Sequence, residues 1–292
     1  MKANFPNSSS ILVAGATGLI GNTIYRYLSE NSNLSVFGSV RNSSVKSLFS
    51  PFNAKKLQSE LEAFDYEKWN RIFRKIKPDV VINCVGITKH HYSGSDPLIA
   101  IPINSYFPHY LNSLCLEYGA RLIHISTDCV FSGNEGDYLE TDTPNSKDLY
   151  GHTKALGEIN KAPSITLRTS TIGHELQSTL GLLDWFLAQK GACNGYKNAF
   201  FSGVTTIELA KIIERYIIPN HQLQGLYHVG SNKISKFDLL SIIAKEYSKK
   251  IEIIPDVQFK IDRSLNSCRF TDETGYKPPT WNQLIKEMRL TK

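Results

Sequence analysis

A chain of 292 residues, 41% of them hydrophobic, is long enough to bury a full core, with room for one large lobe and a smaller one. Its formal charge of +6 comes from basic residues scattered without a run of five or six, which disfavours a nucleic-acid binder and fits a solvated surface with a local anion site. No stretch approaches the ~18 to 20 apolar residues of a membrane span. The five cysteines (Cys84, Cys115, Cys129, Cys193, Cys268) contain no Cys-x-x-Cys pair, and the polar start Met1 to Ser10 lacks the apolar run of a secretion signal, so a reduced, cytoplasmic protein is expected.

The first element is an apolar strand, Ile11 to Ala14, running into glycines at Gly15, Gly18 and Gly21 and then into a helix that carries Ile24, Tyr25 and Leu28. In such a turn the first glycine permits the tight reversal, the second lets backbone N–H groups approach a pyrophosphate, and the third lets the helix pack close to the sheet. Gly15, Thr17, Gly18, Leu19, Ile20 and Gly21 are thus expected to contact a dinucleotide. A βα turn that uses glycine only to cap its strand is the alternative.

Leu34 to Val40 reads as the second strand and ends at Arg41. A carboxylate there would hold an adenosine ribose 2′-hydroxyl, yet no Asp or Glu occurs between Glu30 and Glu60. Arg41 stands where a cation meets a 2′-phosphate, which points to NADP(H); an ordinary surface charge is the competing reading. Asp65, after a short strand and before the helix Trp69 to Ile76, either accepts from an adenine amino group or caps that helix. Pro78 to Gly86 is a near-continuous apolar run of the kind found in strands buried on both faces, and the alternation of strands and helices implies a parallel sheet. Cys84, Val85 and Gly86 fall at the carboxyl end of the fourth strand, where open α/β sheets bind ligands; the Cys84 thiol reads as a small hydrophobe rather than a nucleophile.

A helix from Asn104 through Tyr118 and a fifth strand, Arg121 to Ser126, deliver Thr127 to the same edge. Tyr150 and Lys154 follow, four apart and so on one helix face. Reducing a ketone needs hydride on carbon and a proton on the nascent alkoxide. A phenol can donate that proton, a neighbouring ammonium stabilises the phenolate left behind, and a hydroxyl such as Thr127 can steer the substrate oxygen. With fourteen tyrosines a Tyr-x-x-x-Lys pair arises readily by chance; its place after the glycine turn and after Thr127 is what gives it meaning.

Ser126-Thr-Asp-Cys-Val-Phe-Ser-Gly133, with Tyr138, Glu140, Asp142 and Pro144 downstream, Tyr150-Gly-x-x-Lys154 and Gly157-Glu158, resembles the extended short-chain dehydrogenase/reductases over nearly the whole chain. Within them it is similar to the dTDP-4-dehydrorhamnose reductases and to related UDP-sugar 4-ketoreductases. The resemblance implies a Rossmann-type doubly wound parallel sheet with a smaller C-terminal α/β substrate lobe. It implies NADPH-dependent reduction of a 4-keto-6-deoxyhexose on a nucleotide diphosphate, with Thr127, Tyr150 and Lys154 as catalytic residues and cofactor contacts that include Tyr150 and Lys154. Thr88, Asp128, Cys129, Thr171 and Arg263 are the implied substrate contacts, Arg263 gripping the diphosphate as a bidentate donor or else forming a surface ion pair. At Cys129 and Thr171 the family carries Tyr and Trp; losing both rings leaves room for a larger group such as a 2-acetamido substituent, so dTDP- and UDP-linked sugars both stay open.

Residues 1–170, rejoined by 201–230, form the expected dinucleotide domain, and 171–200 with 231–292 the substrate lobe. There Leu182 to Leu187 reads as a helix, Gly191 to Asn198 as a loop, Ile207 to Ile217 as a helix capped by Thr205 or Thr206, Gly225 to Gly230 as a strand, Ser235 as an N-cap with Asp238 at N3, and Ile251 to Pro255 as a short strand. His90 and His91 read as loop residues at the pocket rim, and no His/Cys/Asp set shows metal spacing. A homodimer is left open. An NADP-binding regulatory subunit without activity and an epimerase that recycles NAD are the competing functions.

Overall fold

In the computed structural model, which describes residues 9–88, 92–177 and 179–291, the apolar runs become strands of one large sheet. His90 and His91 and the first eight residues lie outside the described residues. In chain order the strands are β1 (Ser10–Ala14), β2 (Ser35–Ser39), β3 (Leu57–Gln58), β4 (Val80–Asn83), β5 (Arg121–Thr127), β6 (Ile165–Thr169), β7 (Thr171–Ile172), β8 (Ala192–Phe201), β9 (Val204–Thr205), β10 (Gly225–His228), β11 (Ile234–Ser235) and β12 (Glu252–Asp262). Seven of them form a parallel sheet in the order β10-β6-β5-β4-β1-β2-β3. The chain winds outward from β1 through β2 and β3 and then returns to β4 on its other side. The crevice between β1 and β4 is therefore the topological switch point, where ligands bind beyond the carboxyl ends of the strands.

Alternation along the strands sends side chains to two cores. Ile11 and Val13 face a layer with Ile24, Tyr25, Ile213 and Ile217, whereas Leu12 and Ala14 face Trp69, Phe73, Phe107 and Leu111. Each fully buried Val, Leu, Ile or Phe side chain among them contributes roughly 1.5–3 kcal/mol. The β1–β4 register pairs Ala14 with Asn83, so Gly15 and Cys84 leave the sheet side by side, with Cys84 N–H donating to Ala14 O at 3.0 Å.

A third core, built from Leu183, Phe186, Phe201, Leu239, Ile243, Trp281 and Ile285, lies under a three-stranded sheet ordered β11-β8-β12. Of the segment 191–198 expected as a loop, all but Gly191 belongs to β8, a ten-residue strand. Its partner, β12, is parallel to it and about sixty residues away in sequence, with Cys193 opposite Ile253. No local signal reveals that pairing. β12 likewise runs past Pro255 to Asp262, because an edge strand tolerates a residue without an N–H.

The expected helix from Asn104 starts earlier, at Pro97, capped by Asp96, whose Oδ1 accepts from Leu98 N at 2.9 Å. It widens to a π turn over Pro102–Tyr106 and resumes as Phe107–Glu117. The remaining caps follow their sequence signals: Thr205 accepts from Glu208 N, and Ser235 from Asp238 N. Among the described residues no helix is long and apolar enough to cross a membrane.

Candidate active site

A cleft of about 450 Å³ opens over the carboxyl ends of β1, β4 and β5. Gly18, Leu19 and Ile20 form one end, Cys84 to Thr88 and Ser126 to Cys129 the floor, and Tyr150 and Lys154 one wall; Thr171, Glu175 and Leu182 close it from the smaller lobe. A separate groove of about 540 Å³ between the helices Leu19–Asn31 and Trp281–Leu290 contains none of the catalytic candidates.

The glycine turn is tight at two of its three glycines. Gly15 has φ +82°, a conformation that side chains resist, and a Cβ on Gly21 would lie 2.1 Å from the Gly15 carbonyl oxygen. Gly18 differs: a Cβ there would meet only that same oxygen, at 3.7 Å. Gly18 is exposed and caps the helix Leu19–Asn31 without any side-chain bond, which leaves the first-turn amides without intrahelical acceptors. Open N–H groups at a helix start, beside a glycine that brings no Cβ toward them, fit a pyrophosphate. Ser39 of β2 braces the turn, its Oγ accepting from Gly15 N at 3.0 Å. Thr17 is half-buried on the turn, and Arg41 stands exposed beyond the end of β2.

Asp65 is committed to the helix cap. Its Oδ1 accepts from Lys68 N at 3.1 Å and its Oδ2 pairs with Lys68 Nζ at 2.8 Å, which is the capping role that the sequence offered beside an adenine contact.

Tyr150 and Lys154 sit on the helix Leu149–Leu156, which starts where Asp148 Oδ1 accepts from Gly151 N at 2.7 Å. Burial pushes the Tyr150 phenol above its ordinary pKa, Cys129, Asp128 and Asp148 add to the rise, and a hydrogen bond with Thr127 opposes it. The phenol is a proton donor at neutral pH. Lys154 is 4% exposed, and its Nζ donates to Ile125 O at 2.7 Å. Burial lowers it to about 8, against the pull of Glu158 and Cys84, so it remains largely an ammonium at pH 7. Thr127 Oγ1 donates to Asp128 Oδ1 and accepts from Cys129 N, both at 3.1 Å, which holds the hydroxyl at the strand end. Burial raises Cys84 to about 12, leaving an inert thiol.

Of the substrate candidates, Thr88, Asp128, Cys129 and Thr171 line the cleft. Burial raises the Asp128 carboxyl, with Thr127, Arg263 and Lys236 opposing. Arg263 reaches the same corner: its Nε donates to Phe131 O at 2.8 Å and its Nη1 lies 3.7 Å from Cys129 Sγ. Among the described residues no group of three or more His, Cys, Asp or Glu side chains is arranged to hold a metal.

Two side chains have supporting roles that sequence reasoning did not assign. Asn104, in the π turn, accepts from Ile87 N at 2.9 Å and donates to Ile87 O at 3.0 Å and Thr153 Oγ1 at 3.1 Å, tying the Cys84–Ile87 segment to the catalytic helix. Glu158 binds Ser126 and Arg168 behind the cleft. Its place one turn after Lys154 was the available signal.

Residues 9–290 match a family model described as the RmlD substrate binding domain. The dTDP-4-dehydrorhamnose reductase of Aggregatibacter actinomycetemcomitans is 26% identical over 304 residues, 96% of this chain and 98% of the relative. Methionine adenosyltransferase 2 subunit beta of Xenopus tropicalis is 31% identical over 296 residues, 96% of this chain and 81% of the relative. A solved dTDP-4-dehydrorhamnose reductase from Bacillus anthracis str. Ames, in complex with NADP, shares the fold with a TM-score of 0.79 at 19% identity, covering 97% of this chain and 99% of that one. With a glycine turn, a Tyr/Lys helix and a second lobe all inside the matched span, the chain belongs to the RmlD substrate binding domain family.

Proposed function

We propose that this protein is an NADPH-dependent reductase of a 4-keto-6-deoxyhexose carried on a nucleotide diphosphate, serving synthesis of cell-surface polysaccharide precursors. The observation that carries the reading is the meeting of Tyr150, Lys154 and Thr127 in the cleft that begins at the glycine turn. Gly15, Thr17, Gly18, Leu19, Ile20 and Gly21 receive the pyrophosphate, Arg41 the 2′-phosphate, and Cys84, Val85 and Gly86 line the nicotinamide end beside Lys154. When bound, NADPH supplies the hydride.

The residues of this chain then handle the proton. Thr127 donates a hydrogen bond to the substrate carbonyl oxygen and shares the charge that develops there. Tyr150 gives its phenolic proton to that oxygen. The Lys154 ammonium stabilises the phenolate left behind and holds the nicotinamide ribose. Residues 1–170 with 201–230 serve the cofactor, and 171–200 with 231–292 the sugar. Asp128, Cys129, Thr88 and Thr171 surround the sugar, and Arg263 grips the diphosphate. Cys129 and Thr171 are small, which favours a substrate with bulk at C2, and a UDP-linked 2-acetamido sugar is the variant this supports.

A second reading, an NADP-binding regulatory subunit, is favoured by the 31% identity to methionine adenosyltransferase 2 subunit beta. NADPH oxidation measured over dTDP- and UDP-linked 4-keto-6-deoxysugars separates them: stoichiometric consumption marks the reductase, catalytic recycling of the nicotinamide an epimerase, and tight binding without turnover the regulator.

A further inference from the structure

Behind the Tyr150 helix lies a polar cluster that the proposed chemistry does not use. Glu158 and Arg168 form an ion pair whose side chains are 8% and 3% exposed. Arg168 Nε and Nη2 donate to the two carboxylate oxygens at 2.8 and 2.7 Å, and Ser126 Oγ donates to Glu158 Oε1 at 2.6 Å. The remaining guanidinium nitrogen faces His228 Nε2 at 3.3 Å. His228 Nδ1 faces the Tyr138 carbonyl at 3.0 Å, so Nδ1 carries the proton and Nε2 accepts. Burial and Arg168 lower that imidazole to about 4, which keeps it neutral.

A buried ion pair is an inefficient source of stability, since desolvation offsets most of the attraction. Its location suggests another use. Ser126 stands between Ile125, whose carbonyl holds Lys154 Nζ at 2.7 Å, and Thr127. Ser126 and Arg168 are also register partners across β5 and β6. The carboxylate thus ties the end of the catalytic helix to the strand end that presents two members of the reacting set.

We propose that Glu158 is a positioning residue for the reduction: by joining the end of the helix Leu149–Leu156 to the end of β5, it fixes the Lys154 ammonium and the Thr127 hydroxyl against the Tyr150 phenol. This rests on the reading of Tyr150, Lys154 and Thr127 as the reacting set. The titratable groups that interact with Lys154 are Glu158 from its own chain segment, Cys84 from the end of β4 and His124 from β5; Tyr150 lies one helical turn before it. Burial holds the Tyr150 phenol and the Cys84 thiol protonated and the His124 imidazole neutral. Among these, Glu158 carries the charge that the ammonium feels.

Two variants test the role. In Glu158→Gln, the side-chain NMR titration of Lys154, assigned by the signal missing from Lys154→Met, is expected to move down by about one pH unit. In Ser126→Ala, which leaves the ion pair in place and so reports even where Glu158→Gln does not fold, kcat is expected to fall about tenfold with KM for the nucleotide-sugar unchanged, and Ser126→Thr to restore it. An unmoved Lys154 titration, or wild-type kcat in Ser126→Ala, overturns the proposal. Wild-type turnover by Tyr150→Phe would instead show that the reacting set itself is wrong; an inactive Tyr150→Phe beside an unimpaired Ser126→Ala removes only the positioning role. If no sugar in the panel is turned over, the titration alone decides.

Discussion

Lys154 links activity and stability to pH through one buried amine. Its ammonium is held at about 8 by burial, below its ordinary 10.5. The free enzyme's kcat/KM should therefore decline as pH rises through about 8, because the group that steadies the phenolate loses its charge there. A flat profile from pH 7 to 9.5 would contradict this role. Stability should run the other way. The unfolded chain binds more protons than the folded one between pH 8 and 10.5, so the cost of burying Lys154 is fully present at neutral pH and fades as pH rises through that window. Lys154→Met is accordingly expected to be more stable than wild type at pH 7, by on the order of 2 kcal/mol in denaturant melts, and nearly inactive. Tyr150→Phe removes the proton donor and should lower kcat by about 10² or more with little change in KM. Arg41→Asp replaces a cation at the end of β2 with a ribose-binding carboxylate, and the ratio of kcat/KM for NADPH over NADH should reverse. An unchanged ratio would mean that Arg41 is a surface charge.

At the scale of elements, the glycine turn offers a contrast between folding and binding. A Cβ on Gly21 would fall 2.1 Å from the Gly15 carbonyl oxygen, so Gly21→Ala must push the helix off the sheet and should lower the melting temperature markedly. A Cβ on Gly18 meets its nearest atom at 3.7 Å, so Gly18→Ala should keep the wild-type melting temperature and weaken NADPH binding at least tenfold, as seen in a fluorescence titration. Equal NADPH affinity in Gly18→Ala would remove the pyrophosphate from this turn. The same local regularities explain which elements can be read from sequence. β1 and β4 are near-continuous apolar runs, β5 carries Leu122, Ile123 and Ile125 in a short strand pattern, and Thr205 and Ser235 are caps set by neighbouring residues, so each is legible locally. β8 is not, because much of it faces solvent and its partner β12 arrives only after β9, β10, β11 and the helices between them. The π turn over Pro102–Tyr106 is likewise hidden, since nothing nearby in sequence announces that Asn104 will bind Ile87.

For the whole molecule, the sheet order and the site belong to one argument. Winding outward on both sides of β1 opens the crevice between β1 and β4, and the elements that follow β5 bring Tyr150 and Lys154 to its edge. The glycine turn, Thr127 and the Tyr/Lys pair were therefore legible as a set, from their order along the chain. The network of Glu158, Arg168 and His228 was not, because it joins three elements whose adjacency exists only after folding. Cys129 and Thr171 line the cleft with small side chains; if they border the sugar as proposed, replacing both with Tyr and Trp should raise KM for a UDP-linked 2-acetamido substrate more than for its 2-hydroxy counterpart. Together these parts are expected to reduce a nucleotide-linked 4-ketosugar. NADPH absorbance followed while dTDP- and UDP-linked 4-keto-6-deoxyhexoses are added one at a time is the decisive assay: one NADPH oxidised per sugar is expected with at least one of them, and loss of that oxidation in Tyr150→Phe. NADPH that binds tightly and is consumed with none of them, or turnover that persists without the phenol, would contradict this expectation.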